Sequence, residues 1–155
     1  MFTLKYPHLF TPIQLGNTVF RNRIFGAPTG YMNLDAENFP PQESAEYYGR
    51  KAVGGAASVT MGEVTVDSRY GKGAPKNLAI DDPGCIPSIS AVADEISKHG
   101  AVASLELQHS GMFAAASYDK YGELYGAVEM EAKGTRAGEG LGNVIAKEMP
   151  EDIIL

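Results

Sequence analysis

Short apolar runs alternate along this chain with stretches whose apolar positions recur every three or four residues, which predicts strands and helices in turn. Ile13, Leu15, Val19 and Phe20 flank Gly16-Asn17, a pair that tolerates the positive φ of a two-residue turn, so residues 13–20 are expected to form a hairpin. Residues 23–27 make a short apolar run that Pro28 stops, expected as a buried strand ending in a loop at Thr29-Gly30. Over 44–53, Ala45, Tyr48, Ala52 and Val53 fall at helical spacing after Pro40-Pro41, and Gly54-Gly55 can supply a left-handed cap. Residues 56–61 are small and apolar and run into Gly62-Glu63, a second buried strand, before a loop over 67–77. Ile86, Ile89, Val92, Ala93 and Ile96 mark one face of a second helix that stops at Lys98-His99-Gly100, and residues 101–107 give a third buried strand.

The order hairpin, β, α, β, α, β implies an α/β protein with a parallel sheet and right-handed crossovers. Beyond Leu107 the periodicity dissolves, and residues 108–149 are expected to be one long loop, a length that is functional or disordered in a compact domain. Pro150 followed by Glu151-Asp152 suits a helix start, and a helix begun so close to Leu155 suggests a truncated molecule.

Composition narrows the classes. At 155 residues and 16.5 kDa, with 44% hydrophobic residues, the chain has the size and apolar content of one domain. A net charge of -6 and a pI near 5.0, without a run of Lys or Arg, argue against a nucleic-acid groove or an anionic membrane surface. One cysteine, Cys85, excludes an intrachain disulfide, and with three scattered histidines it offers no zinc-ligand spacing. No stretch approaches the ~20 apolar residues of a membrane span and no leader pattern opens the chain, so a cytoplasmic location is expected.

Several candidate signals have plainer readings. Gly138-Glu139-Gly140-Leu141-Gly142 follows no strand and lacks a Lys-Ser/Thr ending, so it reads as a loop rather than a nucleotide cradle. Glu129 and Glu131 read as solvated carboxylates rather than an acid/base pair, and Cys85 as an ordinary residue at the start of a helix. The strand ends carry more, because chemistry in parallel α/β proteins collects at carboxyl ends of strands. They read Ala27-Pro28-Thr29-Gly30, Met61-Gly62-Glu63 and Glu106-Leu107-Gln108-His109. Small residues there let a flat ring lie against backbone, although close helix packing explains them equally well.

Five segments in register bear on that choice. Leu9-Phe10-Thr11-Pro12-Ile13 with Leu15-Gly16, Arg21-Asn22-Arg23-Ile24, Tyr47-Tyr48-Gly49-Arg50-Lys51-Ala52 with Gly54-Gly55-Ala56, Val59 through Asp67, and Leu107-Gln108-His109-Ser110-Gly111-Met112 occur in the order and spacing of the Old Yellow Enzyme family. The chain most resembles the branch holding 2,4-dienoyl-CoA reductases, trimethylamine dehydrogenase and the bile-acid-induced enoate reductases. The resemblance implies the N-terminal portion of an FMN-binding (β/α)8 barrel over 1–155: a capping hairpin and about three βα units, not closed by this chain alone. It implies FMN and NAD(P)H, with hydride passed through the flavin to an activated alkene, and an iron–sulfur cluster and FAD only in a longer parent.

Carried over by position, Ala27, Pro28 and Thr29 match the loop lining one side of the flavin, and Gly62 the small residue where backbone meets the ring edge. Glu106 stands where many members have a glutamine on the flavin pyrimidine and where trimethylamine dehydrogenase-like members carry glutamate. His109 reads as support for its loop, and Gln108 has no firm role. No catalytic residue is assigned and no metal ligand is expected. The substrate-anion pair and the phosphate loops of the family fall beyond Leu155, since such a barrel needs about 250 residues. The chain alone is therefore expected to be inactive and to pair with a second copy or with the missing part of the barrel. The rival readings are a non-catalytic truncated barrel serving as an assembly module and a small ligand-binding α/β domain.

Overall fold

The computed structural model describes residues 5–31, 33–132 and 144–154. They fall into two compact units, one of residues 1–63 and 84–106, the other of 64–83 and 107–155, with the divisions inside two strands.

In the first unit, a 3₁₀ turn over Pro7–Phe10 precedes the hairpin of β1 (Ile13–Leu15) and β2 (Thr18–Phe20), in which Ile13 pairs with Phe20 and Leu15 with Thr18. Gly16 takes φ +57° at the first central position, where a type II′ turn needs a residue without a Cβ penalty. Three strands then share one sheet in the order β3 (Phe25–Thr29), β4 (Ser58–Thr65), β5 (Val102–Gln108). β3 runs parallel to β4. β5 does so too, since the Ser58 hydroxyl donates to Val102 O, Thr60 Oγ1 meets Ser104 Oγ at 2.8 Å, and Glu63 N–H donates to Glu106 Oε2, advancing together along both strands. The crossovers carry α1 (Gln42–Val53) and α2 (Ile86–Ser97).

Helix packing follows from small residues. A Cβ on Gly49 would stand 2.6 Å from Glu95 Cγ, so only glycine lets α1 lie this close to α2. Ala45, Tyr48, Ala52, Val59, Met61, Val92 and Ile96 form the buried core beneath. The Arg21 guanidinium donates to Ala52 O, Ala56 O and His99 O at 2.6–2.8 Å, tying down the carbonyl ends of both helices, while Asn22 donates to Gly55 O and accepts from Ile24 N–H. The Arg-Asn of the sequence is thus a pair of anchors for helix ends.

Three expectations change here. The first strand starts at Phe25 and passes through Pro28 to Thr29 instead of stopping before the proline. Gly26 pairs with Val59 but Thr29 with Met61, so β3 holds one extra residue, and a bulge on an edge strand accommodates a proline that cannot donate to the ladder. Neither flanking strand is buried as its apolar run implied: β3 is mostly exposed, as are Leu105, Glu106 and Leu107 of β5. Each has a neighbour on one side only among the described residues, whereas β4 between them is buried except at the half-buried Thr60 and Glu63.

The second unit corrects the expected long loop over 108–149. It contains a 3₁₀ turn (Gly111–Phe113), α3 (Ala115–Tyr121), and the short strands β6 (Tyr125–Gly126), β7 (Met130–Glu131) and β8 (Ile145–Glu148), with β8 parallel to β6 and antiparallel to β7. The two-residue strands β6 and β7 show no periodicity, which is why the sequence does not reveal them. Ala114, Leu124, Ala132 and Ala146 form their core, with Met112, Tyr118 and Val144 against it. Gly122 at φ +73° ends α3. The helix expected near Pro150 is the four-residue α4 (Glu151–Ile154), and the Gly138–Gly142 segment lies outside the described residues. The whole is an α/β chain with mixed sheets and no closed barrel among the described residues.

Candidate functional site

The carboxyl-terminal halves of β3, β4 and β5 bring together Pro28, Thr29, Gly62 and Glu106, four of the five residues singled out in the sequence, with β4 running on past Gly62 to Thr65 and β5 past Glu106 to Gln108. A Cβ on Gly62 would stand 2.7 Å from Thr29 N, 3.0 Å from Pro28 C and 3.0 Å from Glu106 Oε2, so any side chain would push the strand ends apart. Glycine is there to let two backbones and a carboxylate meet at one point. Ala27 joins through its carbonyl, which accepts from the Thr29 hydroxyl at 3.2 Å.

Beyond Gly62 the chain takes an unusual turn. Glu63 sits at φ +60°, a left-handed conformation that costs a non-glycine residue about 1–3 kcal/mol and persists only where its surroundings enforce it. Its N–H donates to Glu106 Oε2 at 3.2 Å, which fixes one oxygen of that carboxylate. The other, Oε1, accepts no hydrogen bond among the described residues, and Glu106 is exposed. An exposed carboxylate oxygen beside a bare glycine and an exposed Ala-Pro-Thr edge can accept from an imide-type N–H of a planar ring laid on that edge.

Behind the site stands a residue that the sequence marks only as a position at helical spacing. Tyr48 of α1 is fully buried and its hydroxyl donates to Thr29 O at 2.6 Å. Burial pushes this phenol far above the usual tyrosine range, with the rings of Tyr47 and Tyr31 and the Glu63 carboxylate adding to the effect, so it stays a donor at any working pH. A tyrosine on the apolar face of a helix was the available signal, since a buried hydroxyl requires a partner.

Gln108 and His109 belong to the second unit. The His109 ring lies over Gly71, where a Cβ would stand 2.7 Å from its Cδ2, and its Nδ1 accepts from Gly111 N–H at 3.0 Å, while Ser110 N–H donates to Gly71 O. These contacts suit a support of the loop. Cys85 is buried at the start of α2, and Glu129 and Glu131 are exposed. No group of three or more metal-binding side chains occurs among the described residues, nor any helix long and apolar enough to cross a membrane.

Residues 8–155 match the family model of the NADH:flavin oxidoreductase / NADH oxidase family. The chain belongs to that family. This bears out the Old Yellow Enzyme resemblance and places the strand-end cluster in a flavin-using lineage. Among family relatives, an NADH oxidase of Thermoanaerobacter brockii is 28% identical over 106 residues, 68% of this chain and 16% of that protein. A dimethylamine dehydrogenase of Hyphomicrobium sp. (strain x) is 30% identical over 112 residues, 72% of this chain and 15% of that protein. The old yellow enzyme from Trypanosoma cruzi superposes with a TM-score of 0.78 at 22% identity, over 97% of this chain and 44% of that one, a likeness of fold. The chain thus spans about a sixth of the length of each of these two curated relatives.

Proposed function

We propose that this chain is the N-terminal segment of an FMN-dependent oxidoreductase that passes hydride from NAD(P)H through the flavin to an activated alkene of the enoate or dienoate type. The observation that carries the reading is the meeting of Thr29, Gly62 and Glu106 at adjacent strand ends, with glycine forced at the centre and a carboxylate oxygen left to accept. Family membership supports the flavin, and these residues together with Pro28 fit its ring: backbone of Pro28 and Thr29 along one side, Gly62 at the edge, Glu106 at the pyrimidine.

When bound, FMN supplies a two-electron carrier that takes hydride from one substrate and gives it to the next. The residues of this chain hold and orient it. Glu106, when ionised, accepts from the ring N3–H and cannot donate to the neighbouring carbonyl oxygen as an amide can. Thr29, pinned through its own carbonyl, presents a hydroxyl that can turn from Ala27 O toward a ring oxygen. Flavin phosphate contacts are not assigned to any residue of this chain, and the 155-residue polypeptide by itself is proposed to be inactive. An iron–sulfur cluster and FAD are proposed only for a longer parent.

A second reading, an assembly module, has its own observation. Phe25, Leu105 and Leu107 are 44%, 40% and 56% exposed on the two outer strands, whose edges carry no further strand among the described residues. An apolar cavity of about 280 Å³ between α2 and the sheet, lined by Met61, Ile89, Val92, Ile96, Ala103 and Leu105, adds to that surface. Both readings predict association, with a second copy or with the rest of a barrel. They separate on colour: protein expressed with whatever sequence naturally follows should be yellow, absorb near 450 nm and be bleached by NADH or NADPH. A colourless preparation that takes up no added FMN would leave only the module.

A further inference from the structure

We propose that Tyr48 is a positioning residue for the flavin edge: by donating to the Thr29 carbonyl, its hydroxyl sets the end of β3 against Gly62, so that Thr29 and Glu106 meet the same ring. This rests on the FMN reading above.

The bulge between Gly26 and Thr29 makes such a tether necessary. One extra residue shifts the register so that Thr29 rather than Pro28 stands opposite Met61, and Pro28 contributes no donor. The ladder holds a bulged strand end of this kind less firmly than a regular one unless a bond from outside the sheet fixes it. Tyr48 Oη does so at 2.6 Å from Thr29 O. Because the peptide is planar and trans, fixing that carbonyl toward α1 also fixes the Gly30 N–H in the opposite direction.

The tether is itself rigid. The Tyr48 ring meets the edge of Tyr47 at 5.0 Å, Lys51 Nζ lies 5.3 Å from its centre, and α1 is held on α2 by the contact of Gly49 with Glu95. A continuous path therefore runs from α2 through α1 and the Tyr48 hydroxyl to Thr29 and on to Gly62, where the clearance is already too small for a methyl group. At the far side of that point stand Glu63, in its left-handed conformation, and Glu106. Moving Thr29 outward would open this point and change the separation between the two ring contacts.

The test is Tyr48→Phe, which keeps the packed ring and deletes the hydroxyl, beside Tyr47→Phe, the same deletion on the neighbouring ring. Two readouts are taken on the full chain with its natural continuation: amide hydrogen exchange by peptide mass spectrometry, and the absorption spectrum and dissociation constant of added FMN. Tyr48→Phe should raise exchange over 25–31 at least tenfold while α1 and β4 stay protected, shift the flavin band, and weaken FMN several-fold. Tyr47→Phe should do none of this. Unchanged exchange over 25–31, or a rise spread evenly over the unit, would overturn the positioning role. So would bound FMN whose spectrum and affinity ignore Tyr48→Phe, and the flavin reading would then stand. If the unsubstituted protein takes up no FMN, that reading falls and takes the proposal with it.

Discussion

β4 and β5 are neighbours in one sheet, both read from apolar runs, yet one is buried at all but Thr60 and Glu63 and the other shows its leucines to solvent. Val59 and Val64 of β4 are 0% exposed, while Leu105 and Leu107 of β5 are 40% and 56% exposed. Composition does not distinguish them. β4 has β3 on one side and β5 on the other, and β5 has β4 alone among the described residues. An apolar run therefore states what a strand is able to bury, and its neighbours decide whether it does. The chemistry follows the same division: the central strand supplies the bare Gly62, and the outer strands bring Thr29 and Glu106 to it.

The largest expected effect tests the open edges. The 155-residue chain should self-associate at micromolar concentration, and Leu105→Lys with Leu107→Lys should return it to a monomer, weakening association at least tenfold, or about 1.4 kcal/mol, by placing charges on the edge. Sedimentation decides this, and a monodisperse unsubstituted monomer with cooperative unfolding would show that β5 needs no partner. The same chain should bind FMN no more tightly than about micromolar, since the proposed reading gives it ring contacts only. Flavin fluorescence quenching measures that, and tighter binding would mean that the ring contacts suffice.

Next comes a direct contrast between the strands. Val59→Ala should cost about 2 kcal/mol in urea denaturation, from lost methyl burial and the cavity left behind. Leu107→Ala, although it deletes more carbon, should cost under about 1 kcal/mol because over half of its surface is already in water. Equal costs would mean that β5 is covered in solution.

What the sequence made legible, and what it hid, follows the same logic. The hairpin, both helices and the order of strands were readable because local rules govern them: Gly16 at its turn, Gly55 at φ +102° after α1, Gly100 at φ +74° after α2. The meeting of Thr29, Gly62 and Glu106 was reachable through the resemblance and through their places at strand ends. Burial of the outer strands was misread because it depends on partners no local pattern encodes. The passage of β3 through Pro28 was missed since a bulge is a property of two strands together. Tyr48 is legible as a helical position, but its hydroxyl bond to Thr29, 19 residues away, has no local signature. In the second unit, β6 and β7, at two residues each, fall below the length at which periodicity exists.

A middle-sized effect bears on what β5 brings to the site. If FMN binds as proposed, an ionised Glu106 adds negative charge beside a ring that becomes anionic on reduction, which lowers the midpoint potential relative to an amide. Glu106→Gln should therefore raise it by some tens of millivolts, where 30 mV is roughly 1.4 kcal/mol for a two-electron couple. Spectroelectrochemistry at neutral pH reads this directly. No rise would mean that the carboxyl is protonated when the ring is bound, or that Glu106 does not face it.

The smallest effect lies in β4 itself and runs against the usual direction. Thr65 is fully buried and its backbone is paired, N–H to Leu78 O and carbonyl to Ile80 N–H, but its Oγ1 has no hydrogen-bond partner among the described residues. A buried hydroxyl left unpaired forfeits its bonds to water, a cost of about 1–3 kcal/mol, whereas a methyl of the same shape forfeits nothing. Thr65→Val preserves the β-branch, so neither the strand nor the packing has reason to move, and stability should rise by about 1 kcal/mol. That gain would place Thr65 beside Glu63 as a second unfavourable feature within three residues of Gly62, in the strand that is otherwise best packed. A loss of 1 kcal/mol or more would mean that the hydroxyl bonds something in solution, and β4 would then have no packing defect at this position.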